Sequence, residues 1–413
     1  MINSISAQML TRYLDVAALR QKVLTANIAN VDTPGYKQTR TTFRDMFYQN
    51  VGSNGSGNPI QIGAGAAVGS VSTIFSGSNI ETSGVPTDVA ISGEGFFVVE
   101  RDGVTRYTRA GNFTTSPDGT LSTENGEYVM GYPAPNGIID PSQGLIPLQM
   151  GKGQISPPNA TAMVEMRTNL DATADVGYSF NSPMTVYDSL GSAHVVSFRF
   201  TKTAANTWNY DITLPAGDSG AAADTSLASG VLRFDGAGTL TSPAANVSGI
   251  TTPALANGAD AITFDWNLYD NGTGMMTQLA AASATASKHQ DGFGSGTLED
   301  FTIGSDGIVQ GSFNNGKTMA IGQLALANFP NTQGLQRAGN NNFEATLASG
   351  LPAIGAPGTG GRGSVAGGAL ELSNVDIASE FAKMIVAQRG FQANARAVTT
   401  FDEITQETIN LKR

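Results

Sequence analysis

Apolar residues recur at helical spacing only at the two ends of the chain, residues 1–30 and 373–413, while the roughly 340 residues between them alternate and turn as strands do. In the first segment Ile2, Ile5, Met9, Val16, Leu19 and Val23 follow alternating three- and four-residue steps. This is the spacing of a coiled-coil seam, broken only at Arg12. Leu10, Leu14, Ala17, Leu24 and Ile28 form a second stripe beside it, so the helix is expected to need two or more neighbours. The last segment opens with Ser373-Asn374-Val375-Asp376, with Asp376 as the expected cap, and runs through Ile377, Phe381, Met384, Phe391, Ala395 and Val398. Gln388 and Asp402 interrupt this seam, and Ile385 and Phe401 lie off it and widen the apolar face. Neither end can bury its apolar face alone, which predicts that the two pair. Periodicity by itself suits an ordinary antiparallel helix pair closing one domain; the excess apolar width points to polymerisation.

Between the ends, Asp-Gly and Asn-Gly pairs at Asp102-Gly103, Asp118-Gly119, Asn125-Gly126, Asp235-Gly236, Asn271-Gly272, Asp306-Gly307 and Asn315-Gly316 mark tight turns. Runs such as Gly95-Phe96-Phe97-Val98-Val99 and Ala261-Ile262-Thr263-Phe264-Asp265-Trp266 read as strands, with Trp208 and Trp266 as strand-core residues. The predicted fold class is therefore mainly β with terminal α-helices, in nested discontinuous domains, with paired coiled-coil-like N- and C-terminal helices plus antiparallel β domains. Residues 1–30 with 373–413 form a helical polymerisation core, and 31–80 with 355–372 form a connector region. Residues 81–151 with 297–354 form a β domain, and 152–296 form an inserted outer β domain. The Gly- and Ser-rich stretches 52–69 and 355–368 read as loose connectors and hinges.

Charge changes the picture of partners. The net charge is −11, yet residues 1–50 hold six Lys/Arg against three Asp/Glu, and residues 372–413 hold five against five. The acidic middle argues against nucleic acid, which needs clustered basic side chains. No apolar run is long enough to span a membrane, and no basic start followed by an apolar block marks a signal peptide. The absence of cysteine removes disulfides and thiolate chemistry.

Candidate chemistry is thin. Gly311-Ser312-Phe313-Asn314-Asn315-Gly316-Lys317-Thr318 matches a phosphate-binding pattern, but the following segment reads as a strand where that pattern needs a helix. Gly358-Thr359-Gly360-Gly361-Arg362-Gly363 spells a dinucleotide fingerprint inside a connector. His194 and His289 are far apart and lack metal-type spacing. Glu299 and Asp300 point to opposite faces of a strand. The chain reads as non-catalytic, with no catalytic, cofactor or metal residues expected.

Two longer motifs carry a resemblance. Asn27-Ile28-Ala29-Asn30-Val31-Asp32-Thr33-Pro34-Gly35-Tyr36-Lys37 is similar to the N-terminal signature of bacterial flagellar rod and hook axial proteins. Met384-Ile385-Val386-Ala387-Gln388-Arg389-Gly390-Phe391-Gln392-Ala393-Asn394-Ala395 resembles their closing motif. Asp88-Val89-Ala90-Ile91-Ser92-Gly93-Glu94-Gly95-Phe96-Phe97 and Leu324-Ala325-Leu326-Ala327-Asn328-Phe329 resemble the two halves of the family's β domain. The N-terminal run is closer to proximal rod members, whereas the length and the insertion point to hook members. The resemblance implies a subunit of a curved, hollow tube that acts as a universal joint transmitting motor torque. Its implied partners are many copies of itself, the rod, hook-cap and hook–filament junction proteins, and the type III export gate. It also implies export through the flagellar channel to the extracellular hook. Phe43 and Phe47 match the family's export-gate element. The competing expectations are a distal rod subunit, and a secreted β-rich adhesive or carbohydrate-binding module.

Overall fold

The computed structural model describes the backbone of residues 2–46, 48–63, 65–151 and 154–410. The chain divides into one unit of Met1–Gly151, Phe301–Gly311 and Met319–Arg413, and a second of Lys152–Asp300 and Ser312–Thr318.

The second unit is built on alternation. In the strand Ala193–Ala204 the side chains of Val196, Phe198 and Phe200 are buried while Val195 and Arg199 face outward, the two-residue period of a half-buried sheet. This strand lies between Ser179–Tyr187 and Thr207–Leu214 in an antiparallel five-stranded sheet. A second five-stranded sheet centres on Met163–Asn169. That strand pairs antiparallel with Ala284–Gln290 but parallel with Thr263–Asn267 and Met276–Thr277. The expectation of an antiparallel middle is corrected at these two pairs, where long intervening connections let the chain return in the same direction. Trp208 and Trp266 are fully buried, and Phe198 and Tyr210 set their rings edge-on to Trp266. The phosphate-pattern match is a turn here: Phe313 N–H donates to Lys317 O at 2.9 Å, and Gly316 takes φ +74°.

A polar cluster also stabilises this unit. Fully buried Asp188 accepts hydrogen bonds from the backbone N–H groups of Leu190 and Ser192 and from Asn257 Nδ2, and it lies 2.9 Å from His194 Nε2. Burial pushes its carboxyl pKa up, but these hydrogen bonds outweigh burial and hold it at about 2.

In the first unit, strands from the two halves of the sequence interleave. Phe96–Arg101 pairs with Val104–Thr108, Tyr128–Pro133 and Leu326–Asn328, while Val104–Thr108 also pairs with Asn342–Glu344. Phe97 and Val99 enter one hydrophobic cluster with Val89, Phe113, Leu121 and Leu324. The intervening Phe96 and Val98 enter another with Tyr107, Phe329 and Phe343. This strand is therefore buried on both faces, which accounts for its unbroken apolar run.

The stretches expected as loose connectors contain paired strands, separated by turns. Thr39–Asp45 pairs with Ala66–Thr73, and Tyr48–Ser53 pairs with Pro59–Gly63, two antiparallel pairs that make up a ribbon. On the return, Ala353–Gly355 pairs with Leu326–Asn328, and Ser364–Gly367 pairs with Val89–Ser92. Small residues suggested linkers, but backbone hydrogen bonds need no large side chains.

The junction between ribbon, β domain and terminal helices is polar and buried. Lys37, 0% exposed, donates from Nζ to Glu371 Oε1 at 2.6 Å and to Ser76 O at 2.8 Å. Arg109 Nε lies 3.6 Å from Glu371 Oε2, and its Nη2 donates to Gly93 O. Burial lowers the pKa of Lys37, and the Glu371 carboxylate offsets part of that shift. Asn374 Oδ1 accepts from the Gln38 N–H at 2.7 Å, and its Nδ2 donates to Ile74 O at 2.9 Å. Gly35, at φ +66°, packs against the Arg109 and Ala110 backbone where a Cβ would collide. The two terminal motifs thus meet as one clamp.

Replacing Lys37 with Met leaves Glu371 buried without its nearest cation and is expected to cost about 3–5 kcal/mol. Lys37→Met combined with Glu371→Gln should recover part of that loss; equal losses in far-UV circular dichroism melts would show the pair is not coupled. In the other unit, Asp188→Asn should cost about 2 kcal/mol at neutral pH. The folded carboxyl titrates below the unfolded one, so its contribution is complete above about pH 4 and is lost as pH falls through about 2. The gap between wild type and variant should therefore narrow across that window. Emission from the two tryptophans reports it, since both lie in this unit. A gap constant with pH would rule out the carboxylate as its source.

Candidate polymerisation surface on the paired terminal helices

The N-terminal helix spans Ile2–Ala29 and the C-terminal helix Ile377–Asn410. Neither contains proline, and Asp376 caps the second, its Oδ1 accepting the Ser379 N–H at 3.0 Å. The end of the first helix meets the start of the second, so the pair is antiparallel. Asn27, 1% exposed, fixes this root. Its Nδ2 donates to Glu380 Oε2 and to Thr39 O, each at 2.9 Å, and its Oδ1 accepts the Thr39 N–H at 2.9 Å. Glu380 is buried as well, and Lys383 Nζ donates to its other oxygen at 2.7 Å. A carboxylate in the first turn also suits the positive end of the helix dipole.

On the N-terminal helix Val16, Leu19, Val23 and Ile28 are half-buried, and among the described residues the deepest apolar one is Leu24, from the second stripe. The helix contacts both the C-terminal helix and the ribbon strands Thr39–Asp45 and Ala66–Thr73. Part of its excess apolar width is thus covered within the chain. The side chains of Ile5 and Met9 lie outside the described residues.

On the C-terminal helix Glu380 and Ala387 are buried, and Met384, Phe391, Ala395 and Val398 are half-buried, at three- and four-residue steps. Ile377 and Phe381 do not belong to this seam. They are each 47% exposed and line up at four-residue steps with Ile385, which is 51% exposed. The seam drawn through Ile377 and Phe381 is therefore corrected by one helical position, because Asn27 draws the polar Glu380 inward. Val386 and Ile404 add further exposed apolar surface to the same helix.

Phe43 sits on the ribbon opposite Val68 and is 38% exposed. It lines a cleft with Arg20, Val23, Arg40 and Lys383. Phe47 lies outside the described residues. Sequence reasoning quoted Asn27, Gly35, Lys37 and Asn374 within motifs but gave them no role, and it passed over Glu371 and Glu380. A polar residue retained beside an apolar stripe was the available signal. Among the described residues, no group of three or more metal-ligating side chains comes together, and no helix is long and apolar enough to cross a membrane.

Four family models match along the chain. They are the flagella basal body rod protein at residues 14–37, the flagellar hook protein FlgE/F/G D1 domain at 90–169, the flagellar basal body protein FlaE D2 domain at 157–293 and the flagellar basal body rod FlgEFG protein C-terminal at 366–411. The flagellar hook protein FlgE of Treponema pallidum is 34% identical, over 95% of this chain and 96% of its own length. That of Salmonella typhimurium is also 34% identical, over 97% and 98%. The crystal structure of Helicobacter pylori flagellar hook protein FlgE2 shares the fold, at 15% identity and a TM-score of 0.51, covering 70% of this chain and all of that one. Matched over nearly its whole length by relatives of this identity, the chain belongs to the flagellar hook protein family.

Proposed function

We propose that this chain is a structural subunit of the bacterial flagellar hook, self-assembling into a curved, hollow tube that serves as a universal joint carrying torque from rod to filament. The observation that carries the reading is the stripe Ile377, Phe381 and Ile385, left exposed on a helix whose opposite side is already paired. Covering a few hundred Å² of such surface per contact, at about 25 cal/mol per Å², contributes on the order of 5–10 kcal/mol before ordering costs. The acidic middle keeps separate copies soluble while the nearly neutral ends associate.

The direct partners are other copies of the chain, with rod, hook-cap and hook–filament junction proteins at the ends of the tube. The type III export gate is the partner during secretion through the flagellar channel, with Phe43 and Phe47 as its recognition element. Val16, Leu19, Val23, Ile28, Met384, Phe391 and Val398 hold the helix pair, with Ile5 and Met9 extending it. Ile377 and Phe381 face the neighbouring copies.

Negative-stain microscopy of the full-length protein, beside a truncation lacking 1–30 and 373–413 and a Phe381→Asp/Ile385→Asp variant, tests the reading. Curved tubes from the wild type alone are expected. Straight tubes would indicate a rod subunit, and equal assembly by all three would remove the helices from polymerisation. Separately, Phe43→Ala/Phe47→Ala should reduce secretion severalfold while purified protein still assembles; unaltered secretion would exclude the export role.

A further inference from the structure

The loop after Asn342–Glu344 presents two leucines to solvent on a rigid support. Leu347 is 105% exposed and Leu351 is 88% exposed. The loop beneath them is tightly bonded. Thr346 Oγ1 donates to Gly334 O at 2.6 Å, and Asn331 Nδ2 donates to Ala348 O at 2.9 Å. Ser349 is fully buried; its Oγ accepts the Thr346 N–H at 2.9 Å and donates to Thr346 O at 2.9 Å. Gly334 lies so close to Ala348 and Ser349 that a Cβ has no room, and Gly350, at φ +75°, rests on Pro330. So anchored, the loop cannot fold its leucines back onto the domain. An exposed side chain on a mobile loop needs no explanation, whereas two on a braced loop present a pre-organised apolar knob.

We propose that this knob is a self-docking contact, in which Leu347 and Leu351 of one copy seat on a second copy of this chain within the assembled tube. The proposal rests on the reading of the chain as a self-assembling subunit. Two features select a second copy as the occupant. First, no charged residue lies between Glu344 and Arg362, in a chain of net charge −11. Copies that repel each other can approach closely only across a charge-free surface, and this stretch supplies one, extended by half-exposed Ile354. Second, two leucines cover a small fraction of the roughly 1,200–2,000 Å² that a stable two-body complex buries. The knob is too small to retain a free partner. In an array held by the terminal helices its partner surface is already at high effective concentration, and a small contact then acts at full strength.

The experiment uses the full-length chain, whose lack of cysteine permits labelling at a single introduced thiol. Leu347→Cys carrying a polarity-sensitive fluorophore should shift its emission to the blue as tubes form. Leu347→Asp/Leu351→Asp should keep the wild-type melting profile, since both side chains are solvated in the free chain, and raise the protein concentration needed for assembly by about tenfold or more. An unshifted label in well-formed tubes, or an unchanged assembly threshold for the double variant, overturns the knob while leaving the hook-subunit reading intact. Failure of the wild type to form tubes at any concentration overturns both. A rise in threshold accompanied by a lowered melting temperature in the double variant is resolved by the label, whose shift alone decides between docking and misfolding.

Discussion

The structure depends on one buried polar junction. Lys37 with Glu371 on one side, and Asn27 with Glu380 on the other, join sequence positions more than 300 residues apart, with Arg109 beside Glu371. Charges taken out of water are costly, and the lowered pKa of Lys37 records that cost. A purely apolar joint would hold as tightly, but it would tolerate sliding, because apolar contact has no preferred direction. Hydrogen bonds with single donors and acceptors do have one. The helix pair, the ribbon and the β domain therefore meet in one register, which a part that transmits torque requires at its root.

Away from the junction the chain divides its apolar residues by role. The inserted unit holds Trp208, Trp266 and Phe264 wholly inside and satisfies Asp188 with several donors. Its cohesion needs no other copy. The C-terminal helix leaves Ile377, Phe381 and Ile385 outside. On the proposed reading, that aligned stripe is the face another copy covers.

Much of this was legible in the sequence. Helical ends around a strand-rich middle follow from periodicity, and the interleaving of the two halves follows from the need of those ends to meet. The helix seam was misplaced at Ile377 and Phe381 because an apolar pattern cannot register that Glu380, a charged residue, is the one drawn inward by Asn27. The ribbon pairs of Thr39–Asp45 with Ala66–Thr73 and of Tyr48–Ser53 with Pro59–Gly63 were missed because Gly and Ser weaken side-chain signals while leaving the backbone free to pair. The parallel pairs of Met163–Asn169 join segments far apart in the chain, and no local pattern encodes them. Lys37 and Glu371 are ordinary charged residues in sequence; only their burial together gives them a role.

The paired ribbon also changes where compliance in a bending tube resides. Had residues 52–69 and 355–368 been loose, each subunit could flex internally, and strain would be absorbed in chain entropy. Backbone pairing through Tyr48–Ser53 with Pro59–Gly63, and through Ser364–Gly367 with Val89–Ser92, removes much of that freedom. On the proposed reading, curvature is then accommodated between copies. Apolar contacts suit this, because sliding by a fraction of a side chain changes the buried area little. The stiff polar junction and the slippery apolar faces are complementary requirements: the first keeps each subunit intact under load, and the second lets neighbouring subunits change their spacing on every turn.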